Sequence, residues 1–335
     1  MITIKDISRE CGVSPATVSK ALNGYTDISE ETRELVLETA RKLHYVPNKA
    51  AQLLKTKQSH SIGVLFVDKT MSGLTHEFFS AVLEGTRAEA EKLGYDLTFI
   101  GKTDEPGAFS YVEHCRYRGI DGVVIAGVDF QDPAVRELAL SDIPVVTIDH
   151  HYEGISCVMS DNEEGPYELV RYLAGLGHKR IAFIHGEQTL VTKKRIAGYR
   201  KAMEDFHCEL REEYLVEARY HDPERSGRAT RELMALKDRP TAILFSDDYS
   251  YLGGATELEK QGLSIPEDIS AVGYDGIYLS TVLRPKLTTW FQDAKAIGQE
   301  SAKRLVNEIE HPDSCSKEPI KVSGKLLKGC TAKQR

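Results

Sequence analysis

From residue 61 onward the chain repeats one pattern, a short apolar run followed by a helical stretch, and that alternation narrows the possible folds more than anything else in it. Ile62-Gly63-Val64-Leu65-Phe66-Val67 contains no polar side chain. A half-exposed strand would alternate, whereas a strand buried on both faces of a parallel sheet reads as a continuous apolar run. Helical periodicity predicts a helix over 76–93, closed by Gly94, before a strand at 95–100. A second helix ends near Gly119, the run Gly122-Val123-Val124-Ile125-Ala126 is the third strand, and another helix precedes the strand at 144–149. After Cys157-Val158-Met159-Ser160-Asp161 the pattern starts again. Helices over 162–176, 193–206, 224–236 and 249–261 alternate with strands at 180–184, 214–218, 242–245 and 269–274. A last helix over 294–309 and a strand-like tail end the chain. Strand–helix alternation of this kind gives a doubly wound α/β unit, here twice over. Two such halves joined by crossing segments leave a cleft at the carboxyl ends of the strands, where ligands settle.

The first sixty residues follow another logic. Ile4, Ile7 and Cys11 fall at i, i+3 and i+7, the spacing of one helix face, and Gly12 ends that helix. Ser14 can cap the next helix and Pro15 suits its first position, because proline lacks an N–H that the helix would not use. Two short helices across a glycine turn form a helix-turn-helix. The second runs over 15–22, stopped by Asn23-Gly24. It turns Val18, Ala21 and Leu22 inward and offers Ala16, Ser19, Lys20 and Asn23 outward, small or hydrogen-bonding groups that can reach base edges. A third helix, capped by Ser29, has an inner stripe of Leu35, Val36, Thr39, Ala40 and Leu43. Tyr45-Val46-Pro47-Asn48 breaks it, and Asn48 can cap a final short helix over 49–55. These sixty residues carry nine Lys/Arg against seven Asp/Glu, while the remainder has 34 against 44. An acidic chain thus gathers its basic charge where a phosphate backbone would lie.

Thr3-Ile4-Lys5-Asp6-Ile7, the segment Gly12-Val13-Ser14-Pro15-Ala16-Thr17-Val18-Ser19-Lys20-Ala21-Leu22-Asn23 and the segment Leu43-His44-Tyr45-Val46-Pro47-Asn48-Lys49-Ala50-Ala51-Gln52-Leu53-Leu54 closely resemble the lactose-repressor (LacI/GalR) family of bacterial transcription regulators. The likeness continues through nearly the whole chain. It implies a small all-α helix-turn-helix DNA-binding domain over 1–58, with a hinge helix at 48–55. It also implies an α/β, periplasmic-binding-protein-like core over 59–330, made of two doubly wound subdomains. Three crossovers, near Asp161, Gln292 and Lys317, would divide that core into 61–160 with 292–317 and 161–290 with 318–330. The resemblance places Pro15, Ala16 and Lys20 at base-reading positions. Thr3, Ser14, Thr17, Ser19, Asn23 and Tyr45 would contact the backbone or fix register. Asn48 and Ala51 would approach the phosphates while Leu54, with Leu53, wedges into the minor groove. The implied partners are a pseudo-palindromic double-stranded operator, a second copy of the chain and a small-molecule effector that is a sugar, sugar acid or sugar phosphate. No coil-forming heptads follow Lys317, so a homodimer is expected.

Effector contacts are sought where polar groups follow buried strands. Asp149, Asp247 and Asp275 do so, and carboxylates accept paired bonds from vicinal hydroxyls. Arg195, Asp149 and Asp275 match the family's arginine and hydroxyl-binding carboxylates, and Asp247 stands where asparagine is common. For each carboxylate the plainer role is a cap on the next helix, and Asp248 is expected to cap or brace rather than bind. His76-Glu77-Phe78-Phe79 replaces the family's Asn-Pro-Phe-Phe, which makes His76 and Phe79 candidates for the pocket floor. Tyr220 lies near the usual stacking aromatic, Trp290 beside a crossover is expected in the core, and Lys193-Lys194 fits an acidic effector or a solvated helix start.

Other classes recede on the same residues. An enzyme is not expected, because GxGxxG, a P-loop, G-x-S-x-G and a nucleophile beside a paired base are all missing. No metal or cofactor is expected. His150-His151 point apart on a strand end, and the six cysteines show neither CxxC nor zinc spacing, as reduced thiols would. Neither a signal-peptide pattern nor a run of roughly 20 apolar residues occurs, so the expected location is the cytoplasm.

Overall fold

The structure, a computed structural model, describes residues 2–46, 58–67, 73–101 and 109–335. The chain divides into one unit over Met1–Ser59 and another over His60–Arg335. In the first, α1 (Ile4–Cys11), α2 (Pro15–Leu22) and α3 (Glu30–Lys42) enclose a core of Ile7, Val18, Ala21, Val36 and Ala40. Gly12 makes the turn at φ +68°, a left-handed conformation that costs a side-chain-bearing residue more. Leu35 departs from the expected inner stripe and is 46% exposed. Residues 36, 39, 40 and 43 already fill the arc that faces α1 and α2, and a step of about 100° carries position 35 to its edge. The expected final helix at 48–55 lies outside the described residues.

Among the described residues the larger unit contains two six-stranded sheets. Lobe one is built on β1 (Ser61–Phe66), β2 (Asp96–Ile100), β3 (Gly122–Ala126), β4 (Val145–Ile148), β5 (Ser156–Ser160) and β11 (Ile320–Val322), in the order β11-β5-β4-β3-β1-β2. Its helices are α4 (Glu77–Lys92), α5 (Tyr111–Arg118) and α6 (Pro133–Ala139). Lobe two holds β6 (Ile181–His185), β7 (Leu215–Glu217), β8 (Ala242–Phe245), β9 (Ser270–Asp275), β10 (Thr288–Phe291) and β12 (Lys325–Leu327), ordered β12-β10-β9-β8-β6-β7. Around it lie α7 (Glu164–Gly175), α8 (Leu190–Asp205), α9 (Pro223–Ala235), α10 (Asp248–Lys260) and the short α11 (Tyr278–Val282). The last helix, α12 (Ala294–Glu310), returns to lobe one, where Ile297, Ala302, Leu305 and Val306 join Val82 and Leu83 in the core.

Strand pairing moves one boundary. The third crossing was expected near Lys317, giving 318–330 to the second subdomain. Instead Ile320, Lys321 and Val322 pair in parallel with Val158, Met159 and Ser160 of lobe one. Lys325, Leu326 and Leu327 then pair antiparallel with β10 of lobe two. The chain therefore crosses at Ser323-Gly324, because β5 offers an open edge that residues 320–322 cover. Strands β5 and β10 themselves lead into crossings and were not expected as sheet members. Trp290, on β10, is buried in the lobe-two core as expected. Among the described residues no helix is long and apolar enough to cross a membrane, and all six cysteines are free thiols.

Candidate functional site

In the first unit, the outer face of α2 presents Ser14, Pro15, Ala16, Lys20 and Asn23 to solvent, and Thr3 at the start of α1 is exposed too. Thr17, Ser19 and Tyr45 are half-buried, Tyr45 resting against the helical core. Several of these polar groups are held locally. The Ser14 hydroxyl accepts the Thr17 amide at 3.1 Å, so it caps α2. Thr3 donates its amide and hydroxyl to Asp6 at 2.9 and 2.7 Å. Asn23 donates to the Ser19 carbonyl at 2.5 Å. Lys20 pairs with Asp27 at 2.5 Å, both about half exposed, so its ammonium is engaged but within reach of solvent. Asn48, Ala51 and Leu54 lie outside the described residues.

In the larger unit, the carboxyl ends of the strands in both lobes frame a cavity of about 790 Å³. Its lining brings together six of the seven residues expected there: His76, Phe79, Asp149, Arg195, Tyr220 and Asp275. Arg195, on α8, is its buried cation. Its Nε donates to Asn162 Oδ1 and one Nη to the Ser246 carbonyl, both at 3.0 Å. The guanidinium carbon stands 3.8 Å above the Tyr274 ring and 5.5 Å from that of Tyr220. A cation on an aromatic face keeps its charge while shedding water. Tyr220 is fixed in turn by Thr192, hydroxyl to hydroxyl at 2.9 Å.

The two carboxylates sit where chain direction changes. Asp149 and Asp275 take φ of +58° and +95°, strained for residues other than glycine and typical of functional sites. Gly276, at φ +67°, completes the second turn, and a Cβ there would lie 2.7 Å from the Phe291 backbone. Asp149 Oδ1 accepts the Ser160 amide at 3.1 Å and the Asn162 amide group at 3.2 Å. Asn162 thus links Asp149 of lobe one to Arg195 of lobe two at the first crossing. Burial raises the Asp149 pKa, with Arg195 pulling the other way. Asp275 Oδ1 accepts from Gln292 Nε2 at 2.6 Å. Burial pushes its carboxyl up to about 6 against the pull of Arg195.

Asp247 corrects the expectation. It is not among the cavity-lining residues, and both of its oxygens are engaged. Oδ1 accepts the Ser250 amide at 2.7 Å; Oδ2 accepts the Ser250 and Ser246 hydroxyls and the His221 amide. It is the N-cap of α10, the commonest use of an aspartate after a strand. Asp248 braces instead, accepting from Thr289 Oγ1 at 2.7 Å and the Ile277 amide at 3.0 Å.

Sequence reasoning missed several lining residues. Gln292 is 4% exposed, and its Oε1 has no hydrogen-bond partner, so an acceptor stands beside Asp275 in the cavity. Phe130 and His150 stack at 4.3 Å on the lobe-one wall, and burial lowers the His150 pKa. His221 lies against His76 from the other lobe. A position just after β10 marks Gln292 in the sequence; nothing local marks His221. Lys193 lines the cavity, whereas Lys194 does not. A cavity with a ring-backed cation, two carboxylates and aromatic walls can hold a compact polyhydroxylated molecule by its hydroxyls and one apolar face.

Comparison with known proteins bears on both units. Residues 3–48 match the model for bacterial regulatory proteins of the lacI family. Residues 59–326 match that for periplasmic binding proteins and the sugar binding domain of the LacI family. The Probable HTH-type transcriptional repressor ExuR of Bacillus subtilis (strain 168) is 32% identical over 317 residues, 94% of this chain and 93% of its own. The lac repressor dimer bound to operator and the anti-inducer ONPF superposes with a TM-score of 0.78 at 27% identity, over 99% of both chains. A LacI family regulator from Enterococcus faecium with bound ribose does so at 0.69 and 27%, over 82% of this chain and 98% of that one.

Proposed function

The chain belongs to the LacI family of bacterial regulatory proteins, and from that membership we propose that it is a repressor whose grip on DNA is set by a small sugar-derived molecule held between its lobes. As a homodimer it binds a pseudo-palindromic operator, two-fold protein symmetry matching two-fold sequence symmetry. Lys20 reads a guanine edge, Pro15 and Ala16 select by shape, and Leu54 wedges into the minor groove. The effector lies in the cavity, its hydroxyls on Asp149, Asp275 and Gln292, its oxygens toward Arg195, its apolar face on the rings. The observation that carries this reading is the Arg195 guanidinium, buried on Tyr274 and coupled to the charges of Asp275 and Asp149 inside a cavity large enough for a monosaccharide. Relatives named as repressors, an operator-bound neighbour and a ribose-bound one support it. A ligand that favours one disposition of the lobes shifts operator affinity only by its differential binding to the two states, and the coupling is reciprocal.

Melting the full chain against sugars, sugar acids and sugar phosphates tests the effector half. A true effector at 100 times its Kd adds about 2.7 kcal/mol. The same compound must change the affinity for a symmetric duplex selected from random sequence. Leu54→Ala is expected to weaken that duplex about tenfold or more while sparing the ligand-induced melting shift. Equal affinity for symmetric and random duplexes, with and without every ligand, ends the proposal.

A further inference from the structure

At the rim of the cavity the two lobes meet ring to ring. His76, at the start of α4 in lobe one, stacks on His221 of lobe two with centroids 3.7 Å apart and planes 28° from parallel. Each ring is steadied within its own lobe. His76 meets the edge of Phe79 at 4.8 Å, and His221 lies 4.6 Å from Tyr249. The His221 amide donates to Asp247, and the residue is held at φ +54°. Beside the stack a second bridge joins the lobes: the Tyr278 amide, opening α11, donates to Glu77 Oε1 at 2.7 Å.

We propose that the His76–His221 stack is a proton-sensitive clasp, which holds the lobes together while at most one of the two rings is charged and releases them when both are. The groups around the pair decide how many protons it tolerates. Asp275, whose charge couples to His76, favours one imidazolium, as do Glu77 beside His76 and Asp247 and Asp222 beside His221. The Tyr249 phenol is neutral, Arg195 behind Asp275 opposes any cation, and the positive end of α4 opposes one on His76. A second proton would place like charges at stacking distance. With the lobes apart the two rings no longer face each other, and each can take up a proton without that repulsion. The open state therefore binds more protons in acid, and lowering the pH favours it. In this respect the clasp deepens the effector reading, since acid would weaken ligand capture in the same cavity.

The test uses the full chain with neither sugar nor DNA, so its failure leaves the effector reading standing and the failure of that reading leaves this measurement intact. Hydrogen–deuterium exchange of the segment holding the Tyr278 amide is followed at pH 7.5 and 5.5, corrected for intrinsic exchange. The wild type is expected to lose about tenfold protection in acid. His221→Phe and His76→Phe keep a stacking ring, remove one titration and leave Asp275 in place, so both should protect the segment equally at the two pH values. Unchanged protection in the wild type, or the same acid loss in a folded phenylalanine variant, overturns the proposal.

Discussion

The outer face of α2, where the DNA contacts are proposed, and the interlobe cavity are built on opposite plans. On α2 the candidate contacts are exposed or half-buried, and their partners are near in sequence: Thr17 with Ser14, Asn23 with Ser19, Lys20 with Asp27. In the cavity they are buried or half-buried, backed by strained turns at Asp149 and Asp275, and tied to residues far along the chain. Arg195 reaches Asn162 and Ser246, and Asp275 reaches Gln292. A surface held by local bonds can meet a hydrated duplex at little reorganisation cost. A cavity of buried charges is poised, because any ligand that enters changes the balance among groups already short of water.

The sharpest way to break this contrast is to remove the buried cation. Arg195→Ala deprives Asp149 and Asp275 of their main countercharge and the Ser246 carbonyl of its donor. A stability loss of about 3–5 kcal/mol is expected, the range for breaking a buried charge cluster. The ligand-induced melting shift should vanish, while operator affinity of the unliganded protein stays within about threefold in fluorescence anisotropy. Arg195→Lys, which keeps charge but not the planar fork, should recover part of the stability and little of the response. A normal response in either variant would show that the cavity is not the effector site.

Lys20→Ala probes the other plan. With nothing buried, the melting temperature should hold, and the loss should fall on one operator position. A guanine contact predicts about tenfold or more lost affinity together with relaxed preference at that base. A loss spread evenly over all sequences, with a shallower salt slope, would make Lys20 a phosphate contact instead.

The same contrast governs what the sequence discloses. The helix-turn-helix is legible because its signals are local: a cap at Ser14, proline at the first helical turn, glycine at the bend, an apolar stripe. The α/β alternation is legible because strands buried on both faces are apolar throughout. Strand β5, Ser156-Cys157-Val158-Met159-Ser160, mixes small polar residues with apolar ones and leads into a crossing, and its membership is set by β4 and β11, not by its own residues. The displaced crossing at 323–324 has the same origin. Asp149, Arg195 and Asp275 could be marked by position after a strand or by resemblance. Asp247 shares that position yet caps α10, since Ser246 and Ser250 meet its oxygens first. His221 has no local signature, because its partner is 145 positions away.

A smaller effect tests whether the buried carboxylates are held against their own preference. Asp275 titrates near 6 when folded and near 3.9 unfolded. The unfolded chain gives up that proton first, so stability falls as pH rises from about 4 to about 6, and the cost persists above. A shift of that size corresponds to a cost on the order of 3 kcal/mol, part of which Asn recovers. Asp275→Asn keeps an acceptor for Gln292 and removes the charge. It should therefore be the more stable protein at pH 7.5 by about 1–2 kcal/mol in urea melts, with the gap closing toward pH 4. It should also bind effector more weakly. A variant destabilised at pH 7.5 would mean that pairing with Arg195 outweighs burial, and the cavity would then be a satisfied ion cluster, not a poised one.

The smallest effect lies on the exposed side. Lys20 is engaged by Asp27 before any duplex arrives, and hydrogen bonding to that lysine lowers the Asp27 pKa. A surface pair of this kind is weak and screened by salt. Operator binding exchanges Asp27 for a base edge or a phosphate, so Asp27→Ala should strengthen binding about two- to threefold at low salt and hardly at all near 0.5 M. Its specificity should be unchanged, because Lys20 would meet the same group of the duplex either way. A larger gain, or one that survives high salt, would mean that Asp27 holds Lys20 in an orientation unfit for the groove. The helix surface would then resemble the cavity in needing its partner to undo an internal contact, and the contrast between the two plans would narrow to burial alone.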